Sequence, residues 1–289
     1  MKSNYVFSDL VCEASFTECN HSDKDVEYEY ANNRGFDITR TNVKTDKGRK
    51  ASGIAIGKYS TLSFKSITSL EPQEKSDLAI AIADEILSYL PAECDDLMIA
   101  GLGNKYMTSD SIGPKTVSKL FITRHISIYR KELFDKMNTK RISALAPGVL
   151  SQTGIESAEI FSGMAKNVIP DAVIVIDSLC ARATERLAST VQISNVGITP
   201  GAGIGNKRAK ITEEVLGCPV ISVGIPTIVS SATLVYDALQ KSGNTTESEE
   251  LDALLENGKS FYVTLNEIDE ITDILSDILA DSICHVAES

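Results

Sequence analysis

The run Ala172-Val173-Ile174-Val175-Ile176-Asp177-Ser178-Leu179-Cys180-Ala181-Arg182-Ala183-Thr184-Glu185-Arg186 decides the fold. Its opening residues, Ala172 to Ile176, are apolar without alternation, the pattern of a strand buried on both faces of a sheet. Such a strand belongs to a sheet covered by helices on two sides, and the flanking sequence supplies more units of the same kind. Leu97-Met98-Ile99-Ala100 runs into the tight turn Gly101-Leu102-Gly103-Asn104. Ile142-Ser143-Ala144-Leu145 runs into Ala146-Pro147-Gly148, and Pro219-Val220-Ile221-Ser222-Val223-Gly224 precedes a helix over Ser230–Lys241. Apolar residues recur at helical spacing over Glu74–Leu90, where Pro91 stops them, over Gly154–Asn167, and over Glu267–Ile283. Strands alternating with helices of this length predict an α/β fold with a mainly parallel sheet and helices on both faces.

Outward from this core, the organisation reads in three parts. Residues 1–73 form an N-terminal arm and small β element. The first 50 or so are polar and broken by turns at Asn32-Asn33-Arg34-Gly35 and Lys47-Gly48, and the alternation in Gly53–Ile56 and Tyr59–Phe64 predicts a hairpin. Residues 74–241 are the α/β core. Residues 242–289 are a linker followed by a C-terminal helix packed on the outside.

Composition narrows the function. A net charge of -12 and no clustered Lys/Arg run exclude a nucleic-acid-binding face and an anionic membrane surface as partners. No stretch reaches the roughly 20 apolar residues of a membrane span, and no signal peptide is evident, so a cytoplasmic protein is expected. The six cysteines include no CxxC pair, which argues against a zinc ribbon and for reduced thiols.

In open parallel sheets chemistry collects at the carboxyl ends of the strands, where helix N-termini point. Two aspartates stand there. Asp110 lies in Gly101-Leu102-Gly103-Asn104-Lys105-Tyr106-Met107-Thr108-Ser109-Asp110-Ser111-Ile112-Gly113-Pro114, and Asp177 opens the loop expected after the strongest strand. One reading makes each a helix N-cap. The other brings both across one cleft, where a close carboxylate pair keeps a single proton and so supplies a general base and a general acid for water attack on a peptide carbonyl. A dinucleotide loop is disfavoured, because Tyr106 stands where the third glycine of the fingerprint belongs. The loop Thr199–Arg208 adds glycines and the cations Lys207 and Arg208, suited to a substrate carboxylate or an oxyanion; a mobile surface loop is the alternative. Cys180 and the three histidines sit in no nucleophile motif.

The stretches GLGNKYMTSDSIGP, TRH, SALAPGVLSQTGIE, VIVIDSLCARATER, ITPGAGIGNKR and CPVISVGIPT, in this order between Ala100 and Thr227, resemble the spore germination protease family. That resemblance implies an endopeptidase that degrades small acid-soluble spore proteins, an atypical aspartic peptidase with its essential aspartates at Asp110 and Asp177. Substrate contacts are then expected from Asn104, Arg182, Lys207 and Arg208. It also implies a fold similar to the hydrogenase maturation peptidases, a tetramer, no cofactor, residence in the spore core, and a zymogen that trims its own N-terminus. Ser8-Asp9-Leu10-Val11-Cys12-Glu13-Ala14 looks like the family's chain near that trimming site. The chain departs from the pattern in having little sequence before Ser8, a short connection after Lys241, and Gln152 where a small or apolar residue is expected. A metal-dependent peptidase of the same fold and a non-catalytic protein-binding relative are the alternatives; with carboxylates alone and no loop histidine, a tightly held transition metal is the weaker of the enzyme readings.

Overall fold

The computed structural model describes residues 8–14, 24–201, 208–243 and 261–289. Among the described residues nine strands form one sheet: β1 (Val26–Asn33), β2 (Phe36–Val43), β3 (Gly57–Ser63), β4 (Asp96–Gly101), β5 (Arg141–Leu145), β6 (Ala172–Ala181), β7 (Thr190–Ser194), β8 (Val220–Ser230) and β9 (Tyr262–Val263). Their order is β1-β2-β3-β7-β8-β6-β4-β5, with β9 on the distal end of β8. The centre, β8-β6-β4-β5, is parallel, as the unbroken apolar runs require, and an antiparallel wing of β7, β3, β2 and β1 continues it on one side.

The described helices are α1 (Asp46–Ser52), α2 (Pro72–Tyr89), α3 (Ile112–Lys119), α4 (Arg124–Tyr129), α5 (Lys131–Met137), α6 (Leu150–Thr153), α7 (Ser157–Val168), α8 (Glu213–Leu216), α9 (Ser231–Lys241) and α10 (Ile268–Glu288). Strand parity divides the core in two. Ile174 and Ile176 of β6, with Leu97 and Ile99 of β4, face α2 and α10; Val173 and Val175, with Met98 and Ala100, face Ala158, Phe161 and Ala165 of α7. Each large aliphatic side chain so buried contributes roughly 1.5–3 kcal/mol, so neither face is dispensable.

Two expectations change. Residues 26–43 are not an irregular arm but the hairpin β1-β2, closed by Arg34 and Gly35, both with positive φ (52° and 89°), and by the Asn32 side chain accepting from the Gly35 N–H at 3.1 Å. Gly53–Ile56 is no strand, because Gly53 ends α1 in the left-handed conformation (φ 76°), and Tyr59 pairs instead in β3. The C-terminal helix covers the sheet as expected, with Asp269, Asp273, Asp277 and Asp281 exposed on its outer side, while Ile271, Leu275, Ile278, Leu279, Ile283 and Val286 are buried, packed with α2 and α3. The linker expected after Lys241 lies largely outside the described residues. No described helix is long and apolar enough to cross a membrane.

Candidate active site

β4 ends at Gly101, and the chain turns through a 3-10 turn, Thr108–Asp110, into α3. Two glycines let this turn close on itself. A Cβ at Gly113 would stand 2.2 Å from the Leu102 carbonyl oxygen, and one at Gly103, whose φ is +111°, would stand 2.0 Å from that of Asp110. The turn is held from both ends: the Leu102 N–H donates to the Ile176 carbonyl at 2.8 Å, and the Thr227 hydroxyl of β8 donates to the Ser109 carbonyl at 2.6 Å. The Asp110 carboxylate does not cap α3. Its Oδ2 accepts the backbone N–H of Asn104 at 2.9 Å, which aims it back across the loop.

Asp177 is no cap either, and it does not lie in a loop. β6 continues to Ala181 because Ser178–Ala181 go on pairing with Ile225–Val229 of β8, across a bulge at Leu179/Cys180. Asp177 is thus a mid-strand residue opposite Gly224, 6% exposed, its Oδ1 accepting the Ser178 N–H at 2.9 Å. Its parity with Val173 and Val175 puts it on the α7 side of the sheet.

Asp110 and Asp177 line one cavity of about 380 Å³, together with Asp9, Gln192, Ser194 and Arg208. Burial pushes the Asp177 carboxyl well above the usual carboxylate range, and the charges of Asp110 and Asp9 push it further, against the Ser178 N–H. Burial raises Asp110 as well, but there the Asn104 N–H and the Arg208 guanidinium oppose it. Asp9 is raised by burial against the Cys180 N–H.

The other candidates fall as follows. Arg208 is in the cavity wall. Asn104 reaches Asp110 through its backbone, while its side-chain Oδ1 accepts from Gln152 Nε2 (3.0 Å) and the Tyr106 N–H (3.1 Å), so the unexpected Gln152 braces this loop. The Arg182 guanidinium stands over the Tyr236 ring, 5.9 Å from its centroid. Lys207 lies outside the described residues. Burial lifts the Cys180 thiol to about 12, which keeps it protonated and a poor nucleophile. Among the described residues no cluster of three or more His, Cys, Asp or Glu is arranged to hold a metal ion.

Sequence reasoning missed what Asp9 and Gln192 do. Ser8–Ala14 is seated across the cavity. The Asp9 N–H donates to the Cys180 carbonyl and the Asp9 carboxylate accepts the Cys180 N–H, both at 2.9 Å, and the Glu13 carboxylate accepts the N–H groups of Arg182 (2.6 Å) and Ala183 (2.8 Å). Leu10 and Val11 are buried to 1% exposure. The resemblance of Ser8–Ala14 to the family's N-terminal region was the one signal available; Gln192, in an ordinary short strand, gave none.

A sequence profile of the germination protease family matches residues 8–242. The chain belongs to that family. A germination protease of Clostridium perfringens is 41% identical over 236 residues, covering 81% of this chain and 70% of the relative. One from Clostridium acetobutylicum is 34% identical over 309 aligned positions, 97% of this chain and 94% of the relative. Membership makes this chain a protease by family, and the matched span contains both aspartates and the seated N-terminal segment. Among solved structures, a NiFe hydrogenase maturation protease, HycI of Thermococcus kodakarensis KOD1, aligns with 67% of this chain and 98% of its own, at 15% identity and a TM-score of 0.32.

Proposed function

We propose that this germination protease is an aspartic-type endopeptidase in which Asp110 and Asp177 share one proton and drive water onto a peptide carbonyl. The carrying observation is that both carboxylates line one cavity and are raised in pKa while their surroundings differ. Asp177, buried beside two further carboxylates, keeps the proton. Asp110, with Arg208 nearby and an N–H on one oxygen, is the member that ionises.

Asp110 then takes a proton from water as the water oxygen adds to the carbonyl carbon, and Asp177 donates its own proton to the carbonyl oxygen. Collapse of the tetrahedral intermediate breaks the C–N bond; the proton on Asp110 passes to the leaving amine, and the hydroxyl proton returns to Asp177. Arg208, with Lys207 before it in the chain, holds the substrate's acidic groups; Asn104 sets the Asp110 carboxylate and Arg182 borders the segment's binding surface.

The substrates on this reading are small acid-soluble spore proteins, cleaved in the cytoplasm of the spore core, by a tetramer made as a zymogen. Ser8–Ala14 lying across the cavity supports the zymogen part, since a substrate chain and this segment compete for the same wall. Incubation of the full chain with purified small acid-soluble protein, before and after loss of its first residues, tests the reading. New internal N-termini by mass spectrometry, appearing after a lag that ends with trimming, are expected; an intact substrate after the trimming defeats it.

A further inference from the structure

One side chain in the cavity wall makes hydrogen bonds that the two-aspartate chemistry leaves unused. Gln192 projects from β7, whose other residues, Thr190, Val191, Ile193 and Ser194, are all buried. Its carboxamide meets the seated segment twice: Oε1 accepts the Val11 N–H at 2.6 Å and Nε2 donates to the Asp9 carbonyl at 2.9 Å. Leu10 is extended (φ -88°, ψ 125°) ahead of a 3-10 turn over Val11–Glu13; across an extended residue the carbonyl before it and the N–H after it point to the same side, where a neighbouring strand would satisfy both. A carboxamide that takes the same two groups replaces that strand for one residue, and it reads main chain rather than side chain. Leu10, the residue bracketed by the two bonds, goes into an apolar cluster with Leu179, Ala181, Leu187 and Val229. The grip is therefore indifferent to most of the sequence it holds, and it lies in the wall that also carries Asp110 and Asp177.

We propose that Gln192 is a positioning residue for the peptide to be cut, gripping the main chain of an extended polypeptide substrate in the cavity as it grips the protein's own residues 9 and 11. This rests on the endopeptidase reading and adds to it the residue that sets the register of the chain.

The test uses the full protein and a labelled peptide with the sequence of residues 5–16, beside an ester analogue in which the Val11 N–H is replaced by oxygen. Both peptides compete with the same internal segment, so that competition divides out of their ratio. Fluorescence anisotropy is expected to show the ester binding wild type about fivefold more weakly, the value of one hydrogen bond. Against Gln192→Leu the two peptides bind alike, and against Gln192→Glu, which keeps an acceptor oxygen, the ester penalty returns. An equal penalty in wild type and Gln192→Leu, or no binding of the amide peptide to wild type, overturns the proposal. In steady-state cleavage Gln192→Leu raises KM about fivefold and leaves kcat within about twofold; a loss confined to kcat also contradicts it. Anisotropy needs no hydrolysis, so a penalty that depends on Gln192 in a protein that cleaves nothing keeps the grip and removes the endopeptidase reading. Cleavage with a penalty indifferent to Gln192 does the reverse.

Discussion

Asp177 carries a cost that the folded protein accepts for its position. Its pKa is raised on folding, so the folded state holds the proton more tightly than the unfolded chain. Its contribution is favourable below the unfolded value of 3.8 and is lost as pH rises through the raised folded value. Asp177→Asn, which removes the ionisation, is expected to unfold at a higher temperature than wild type at pH 7, with the gap closing as pH falls toward 4; differential scanning calorimetry across that range reads it. An unchanged gap means that Asp177 is not a buried acid. The same sign fixes the activity profile: peptide cleavage falls on the alkaline side as Asp177 loses its proton, and pH–rate curves should show that limb. At this scale the sequence was half legible. A carboxylate ending an apolar run marked Asp177 as placed for chemistry, yet the strand's continuation to Ala181 was hidden, because Ser178 and Cys180 read as loop until β8 is there to pair with them.

Single elements matter here through how closely they approach one another. The turn after β4 meets the start of α3 only because Gly113 has no side chain, and a methyl there would collide with Leu102 backbone that has nowhere to go. Gly113→Ala should cost about 2 kcal/mol, and it should also lower kcat by moving Asp110. Chemical denaturation and cleavage rate check both, and a stable, fully active variant contradicts the packing. The helical periods of α2 and α10 were visible in the sequence, since every third or fourth residue is aliphatic. The hairpin β1-β2 was not. β1 is an edge strand with exposed Glu27 and Glu29, and its polar composition hid the pairing with β2, which buries Phe36 and Ile38 on one face and Thr41 and Val43 on the other.

Across the whole molecule, the antiparallel wing is tied to the helical layer through Arg40, whose partly exposed side chain reaches a buried carboxylate, and through the more exposed Arg34–Asp77 pair at 3.3 Å. Arg40 of β2 gives both its Nε (3.1 Å) and its Nη2 to the Glu85 carboxylate of α2, whose side chain is only 3% exposed. Arg40→Met would leave that buried carboxylate without its guanidinium, at about 1–3 kcal/mol after screening at the exposed arginine; Arg40→Met with Glu85→Leu should recover most of it, and additive losses in the cycle contradict the assignment. The two-faced sheet was legible from the unbroken apolar runs, because Leu97–Ala100 of β4 and Ala172–Ile176 of β6 bury side chains of both parities. The meeting of three distant segments at one cavity was not, since no local pattern records that Ser8–Ala14 returns to β6 and β7.

The shared proton is tested most directly by cleavage of small acid-soluble protein with wild type, Asp110→Asn, Asp177→Asn and the double variant, all checked for unchanged circular dichroism. Each single variant is expected to lose about 10³-fold in kcat, and the double variant no more than the worse single, because the carboxylates act as one unit. Near-wild-type cleavage by either single variant, or losses that multiply in the double, would contradict the account.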